Sequence, residues 1–162
     1  MKHNVLFPLS VALMLGCQAP TNETQADHET HPTMSTANDQ TAIKELLFTY
    51  RDALNASSVE QVMPLYTTDG VFMPTGFPTS VGTEQVRGAY TGVFSMIQLN
   101  IEFFIDEIEV DGDHAFARTT SKGSTLIHAT GETVPEENRE IFVLQRTANG
   151  WKIARYMFNK MK

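Results

Sequence analysis

Arg155 is the side chain whose neighbours would most readily put it to chemical use. It stands in the run Trp151-Lys152-Ile153-Ala154-Arg155-Tyr156-Met157. Side chains on a strand alternate between faces, so Trp151, Ile153, Arg155 and Met157 are expected to share one. All but the arginine are apolar, and a face that apolar covers a core and draws the guanidinium inside. A buried guanidinium needs an anion to answer it. Glu140 or Glu102 could do so from another strand, or a ligand carboxylate could, gripped by the planar fork. The histidines offer less. His114 and His128 could act as bases, but no carboxylate or nucleophile is spaced to orient either one. His28 and His31 lie in a stretch with no packed scaffold to fix metal geometry. Glu102 and Arg118 are expected on neighbouring strands, where opposite charges pair for well under about 1 kcal/mol. No phosphate loop, metal-ligand cluster or nucleophile motif occurs. Neither a metal nor a cofactor is therefore expected, and no residue is assigned as catalytic.

Cys17 is the one cysteine, so no intrachain disulfide and no cysteine-based metal site can form. Its setting suggests another use. Lys2 and His3 open the chain, and Val5 to Leu15 is an apolar run too short for a membrane helix, which needs about 20 residues. Met14-Leu15-Gly16-Cys17 resembles the bacterial lipobox, in which cleavage precedes a cysteine that is then lipidated. Residues 1–16 are expected to leave as a signal peptide, with Cys17 as the lipid anchor. Each buried acyl methylene contributes about 0.8 kcal/mol to such anchoring. Gln18, rather than an aspartate, follows the cysteine. By resemblance to enterobacterial sorting patterns this favours the outer membrane, facing the periplasm. The formal net charge of −7, from 12 basic and 19 acidic residues, argues against a nucleic-acid surface and against electrostatic adhesion to anionic lipid.

The elements that would position Arg155 begin after a tether. Residues 18–38 contain no Leu, Ile, Val or aromatic residue and cannot offset their ordering entropy, so 17–38 is read as lipidated cysteine and flexible linker. A single domain is expected over 39–162. Ile43, Leu46, Leu47, Tyr50 and Leu54 mark one face of a helix capped by Asn38 or Asp39. Ser58-x-x-Gln61 resembles a capping box opening a second, short helix that Pro64 should shorten. A turn at Thr67–Gly70 leads to a strand, Val71–Met73, stopped by Pro74. After a loop, Thr83 is expected to cap a third helix from Glu84 to about Gln98, burying Val86, Tyr90, Val93, Phe94 and Ile97. From Leu99 the period becomes two, with a slip at Asp106-Glu107 that suggests a bulge. A strand from His114 to about Ile127 follows, with a possible bend at Gly123. A loop spans 128–136, and Asn149-Gly150 turns the closing hairpin. The order ααβα and then four antiparallel strands predicts an α+β domain with helices on one sheet face.

That order looks like the nuclear-transport-factor-2-like superfamily, which includes ketosteroid isomerases and SnoaL-like polyketide cyclases. The residues carrying the likeness are Thr49-Tyr50-Arg51-Asp52-Ala53-Leu54-Asn55-Ala56 and Leu65-Tyr66-Thr67-Thr68-Asp69-Gly70-Val71-Phe72. Val81-Gly82 into Val86-Arg87, and Phe142-Val143-Leu144 through Gly150-Trp151-Lys152-Ile153-Ala154-Arg155, extend it over about residues 39–160. The resemblance implies a cone-shaped (cystatin-like) fold, three N-terminal helices on a curved antiparallel sheet, and a homodimer paired through the open sheet face. It places Tyr50 at the isomerase tyrosine, and Met73 at the base position, where a thioether cannot take a proton. Near the expected second acid stand Arg139 and Glu140, with no aspartate. The residues therefore speak for a binding cone over isomerase chemistry. Tyr50, Phe72, Met73, Tyr90, Phe94, Arg155 and Met157 are its expected lining for a small, largely apolar molecule. A SnoaL-like or isomerase-like enzyme using Tyr50 with an unidentified base is the alternative, as is a ligand-free dimeric module.

Overall fold

The computed structural model describes residues 33–161. The expected signal peptide, Cys17, His28, His31 and most of the expected tether lie outside them. Helix α1 (Thr33–Asn55) begins ahead of Asp39, inside the stretch read as linker. Asp39 is thus no cap but a mid-helix residue, 8% exposed. The apolar spacing holds, with Ile43, Leu47, Tyr50 and Leu54 buried and Leu46 packed against them. Ser58 accepts a hydrogen bond from the Gln61 N–H at 3.3 Å and opens α2 (Val59–Val62) as its sequence suggested. Pro64 then ends the α-helix in a 3-10 turn, Met63–Leu65.

Strand β1 (Tyr66–Met73) contains the expected turn as an excursion within the strand. Tyr66 pairs with Ile153 and Val71 with Arg155, so the intervening residues bulge out of the ladder. After the short β2 (Ser80–Val81) comes α3 (Gly82–Met96). Thr83 is not its cap. Val81 holds that position, its N–H bound to Gln85 Oε1 at 3.0 Å, and the Thr83 hydroxyl donates to Thr68 O. Strands β3 (Ile97–Asp111) and β4 (His114–Ile127) pair along their length, with the register shift at Ile105/Glu107 where the phase slips. Strand β5 (Glu132–Thr147) starts earlier than expected, and only a tight turn at 128–131 separates it from β4. Strand β6 (Gly150–Lys160) closes the chain.

The sheet order is β2-β1-β6-β5-β4-β3. Because β1 runs parallel to β6, the sheet is mixed rather than wholly antiparallel. Helices α1 and α3 cover its inner face, burying Phe103, Ala117, Phe142, Leu144, Ile153 and Tyr156 in one core. This is the α+β class that the element order implied, in the cone-shaped form that the resemblance implied.

One irregularity reverses the expectation for Arg155. Leu144 pairs with Ile153 but Val143 pairs with Arg155, which leaves Ala154 as an extra residue in β6. An inserted residue moves every later side chain to the other face. Trp151 and Ile153 point inward as expected, and beyond the bulge Tyr156 takes the inner face. Arg155 and Met157 are turned outward, each 41% exposed. The guanidinium meets Ala154 O at 2.6 Å, Asp69 O at 3.3 Å and Asp69 Oδ2 at 3.5 Å, and it anchors nothing in the cone. Met157 instead pairs with Ile141, and with Val143 these give the outer sheet face its apolar character.

Candidate functional site

The inward side of β5 carries the polar groups of the cone. Alternation along Glu137-Arg139-Ile141 and Glu136-Asn138-Glu140-Phe142 sends the second set to the inner face. Opposite them stand Tyr50 from α1, Phe72 from β1, Tyr90 from α3, and Tyr156 and Phe158 from β6. Together with Leu54, Val93, Ile97, Leu99 and Ile101 they enclose a cavity of about 90 Å³. A larger half-open groove of about 730 Å³ lies beside it, walled by Pro74, Phe77, Met96, Ile127 and His128. Val93, Ile97 and Phe158 line both.

Glu140 is 3% exposed. The Thr119 hydroxyl donates to its Oε2, and Ser121 and Tyr156 donate to Oε1 at 3.0 Å and 3.2 Å. Burial nonetheless pushes its pKa up, against the lowering effect of those hydroxyls. What this carboxyl contributes to stability is therefore present at low pH and lost as pH rises through its folded pKa. A second network is wholly phenolic. Tyr90 OH meets Tyr50 OH at 2.5 Å and Tyr66 OH at 2.8 Å. Burial drives all these tyrosines, and Tyr156, well above the ordinary phenol range, so they are neutral hydrogen-bonding groups.

Of the residues expected to line the cone, Tyr50, Phe72 and Tyr90 do so. Phe94 is buried in the core with its ring 5.8 Å from Tyr90, but it does not line the cavity. Met73 follows Phe72 on β1 and so faces the outer side, where it pairs with Met157. Arg155 and Met157 are excluded by the β6 bulge. The Glu102–Arg118 pair does not form, because Glu102 lies opposite Lys122. Glu102 bonds Arg51, and Arg118 bonds Asp106 and Glu107. His114 is exposed at the β3–β4 turn, while His128 Nδ1 lies 3.0 Å from Ser95 O at the groove. Among the described residues no group of His, Cys, Asp and Glu could hold a metal ion. Among the residues missed from sequence were Asn138, Tyr156, Phe158 and Glu136, and Glu140 in its role as cavity wall. The signal for the first and last was present, since Glu136, Asn138 and Glu140 continue the alternation of Phe142 and Leu144.

A SnoaL-like domain model matches residues 48–156, from Phe48 in α1 to Tyr156 in β6. The chain belongs to the SnoaL-like domain family. A ketosteroid isomerase-like protein from Erwinia carotovora atroseptica SCRI1043 is similar to this SnoaL-like chain. It is 31% identical, with a TM-score of 0.72 over 75% of this chain and 95% of the other. A nuclear transport factor 2-like superfamily protein from Salmonella enterica is 17% identical, with a TM-score of 0.70 over 78% of this chain and 93% of its own. An NTF2-like protein with a cystatin-like fold from Novosphingobium aromaticivorans is 20% identical, with a TM-score of 0.61 over 78% and 84%. These last two speak for the fold alone. A search of curated proteins found no match.

Proposed function

We propose that this SnoaL-like domain binds one small, largely apolar molecule, its polar head beside Glu140 and its body in the adjoining groove. The observation that carries the reading is a buried carboxyl on the wall of a small aromatic cavity that shares lining residues with a larger apolar groove. A neutral probe of that shape is 2-phenylethanol. Added to the full chain, it should shift the NMR resonances of Tyr50, Tyr90, Tyr156 and Phe158 with about millimolar affinity, as befits so small a ligand. Val93→Trp, which fills the shared wall, should abolish those shifts. Unmoved cone resonances at saturating probe would sink the reading.

A second reading, proton transfer on the bound molecule, is favoured by the raised pKa of Glu140 and by the isomerase-like description of the Erwinia relative. Against it, Met73, at the base position the resemblance gives, is a thioether on the outer face.

The same proposal places the domain in the bacterial envelope, held by lipid on Cys17 and most simply at the outer membrane. What supports this is the sequence Met14-Leu15-Gly16-Cys17 after a short apolar run. No described helix is long and apolar enough to cross a membrane. Cys17→Ser should move the protein from the membrane fraction to the soluble one, and a wild type already soluble would remove the anchor. Pairing of two copies through the outer sheet face, where Ile141, Val143 and Met157 are exposed, belongs to the reading too. Light scattering at micromolar concentration that gives only monomer mass would exclude it.

A further inference from the structure

We propose that the ligand selected by the cone is a small amine, bound as its ammonium ion against the acceptor row Glu136, Asn138 and Glu140 of β5. The inference rests on the binding reading above and deepens it.

Its starting point is Asn138, 6% exposed and lining the cavity. Its Nδ2 donates to Ser121 Oγ at 3.2 Å and to Glu136 Oε1 at 3.0 Å. Ser121 spends its own proton on Glu140, so its oxygen is left to accept from the amide. A carboxylate oxygen cannot donate, so the amide could not be turned over without setting two acceptors against each other. Asn138 Oδ1 is therefore the atom left over, buried and with no donor from the protein among the described residues. Buried acceptors are costly to leave unmatched.

Glu140 makes the complementary demand. Three hydroxyls occupy three of its roughly four lone-pair positions. All of them are neutral, and no ion pair to Glu140 forms among the described residues. Glu136, by contrast, already has Lys160 Nζ at 3.0 Å and the Thr125 hydroxyl at 2.9 Å. No Lys, Arg or His lines the cavity. The polar wall thus accepts hydrogen bonds and carries negative charge, the reverse of the carboxylate site that Arg155 would have made. Water or an alcohol can donate to Asn138 Oδ1, but only a cation also answers the charge of an ionised Glu140. The remaining walls suit one. Phe72, Tyr156 and Phe158 stand within 5.5–6.2 Å of one another, centroid to centroid, and aromatic rings attract an ammonium head.

The test compares phenethylamine, 2-phenylethanol and 3-phenylpropionate, three heads on one apolar body, titrated into the full chain at neutral pH. The amine should bind at least about tenfold more tightly than the alcohol, and the acid not at all. Glu140→Gln should bring the amine to within about threefold of the alcohol, whereas Asn138→Leu should weaken both, since both donate to the lost oxygen. A readout that needs no variant is the carboxyl carbon resonance of Glu140. It should shift when the amine is added and stay in place with the alcohol. If the alcohol or the acid binds as tightly as the amine, or the resonance does not move, the amine assignment is overturned and the cone remains a binding site. If none of the three binds, both readings fall.

Discussion

Gly123→Ala is expected to remove more than about 3 kcal/mol of unfolding free energy, read as a large fall in the urea midpoint. Gly123 pairs with Ile101 across β3 and β4. A Cβ there would lie 2.0 Å from Asn100 O and 2.9 Å from the Ile101 Cα. Both obstacles are backbone, so no flexible side chain can swing aside and the two strands must part. The same point is tied to α1, because Asn55 donates to Ile101 O at 2.8 Å and accepts from its N–H at 2.9 Å. A methyl group at Gly123 therefore disturbs the helix end as well as the ladder. Gly88 on α3 is the control: nothing lies within 4 Å of its added Cβ. Gly88→Ala should stabilise by about 0.5–1 kcal/mol through helix propensity alone. A Gly123→Ala protein within about 1 kcal/mol of wild type would mean that the strands do not approach so closely.

Asp39→Ala should cost about 2–3 kcal/mol. Asp39 receives a bidentate grip from Arg146, at 2.8 Å and 2.6 Å, and the indole N–H of Trp151 at 3.1 Å. Arg146 also stacks over the Trp151 ring at 4.5 Å and bonds Asp113. This cluster clasps the first third of α1 to the β5–β6 hairpin. Removing one partner of a buried pair costs about 3–5 kcal/mol, and the figure is discounted here because the Arg146 side chain is 37% exposed. A double-mutant cycle with Arg146→Met should return a coupling of about 1 kcal/mol or more. A coupling near zero would reduce the clasp to an ordinary surface pair.

Much of this was legible along the chain because it depends on local periods. The apolar spacing from Ile43 to Leu54 buries the face it marks, and the slip at Asp106-Glu107 is a bulge in the folded sheet. Ser58 and Pro64 act locally, by a cap and by a missing donor, and so open and end α2 as read. The α+β class follows from the order of such elements, and the cone from the family resemblance that their residues carry.

The site was less legible, and the reason is register. Whether Arg155 or Tyr156 faces the cone depends on the one extra residue, Ala154, and nothing in Ile-Ala-Arg-Tyr announces it. The bulge is set by how β6 is gripped between β5 on one side and parallel β1 on the other. β5 is the hairpin partner in sequence, but β1 comes from far earlier in the chain. Asp39 shows the same limit at longer range, since its partners lie more than a hundred residues away. Its type suited a cap, and only packing made it a clasp. Alternation could place Glu136, Asn138 and Glu140 on one face. That this face meets Tyr50, Tyr90 and Tyr156 around a cavity, rather than solvent, was decided by the helices that close over it.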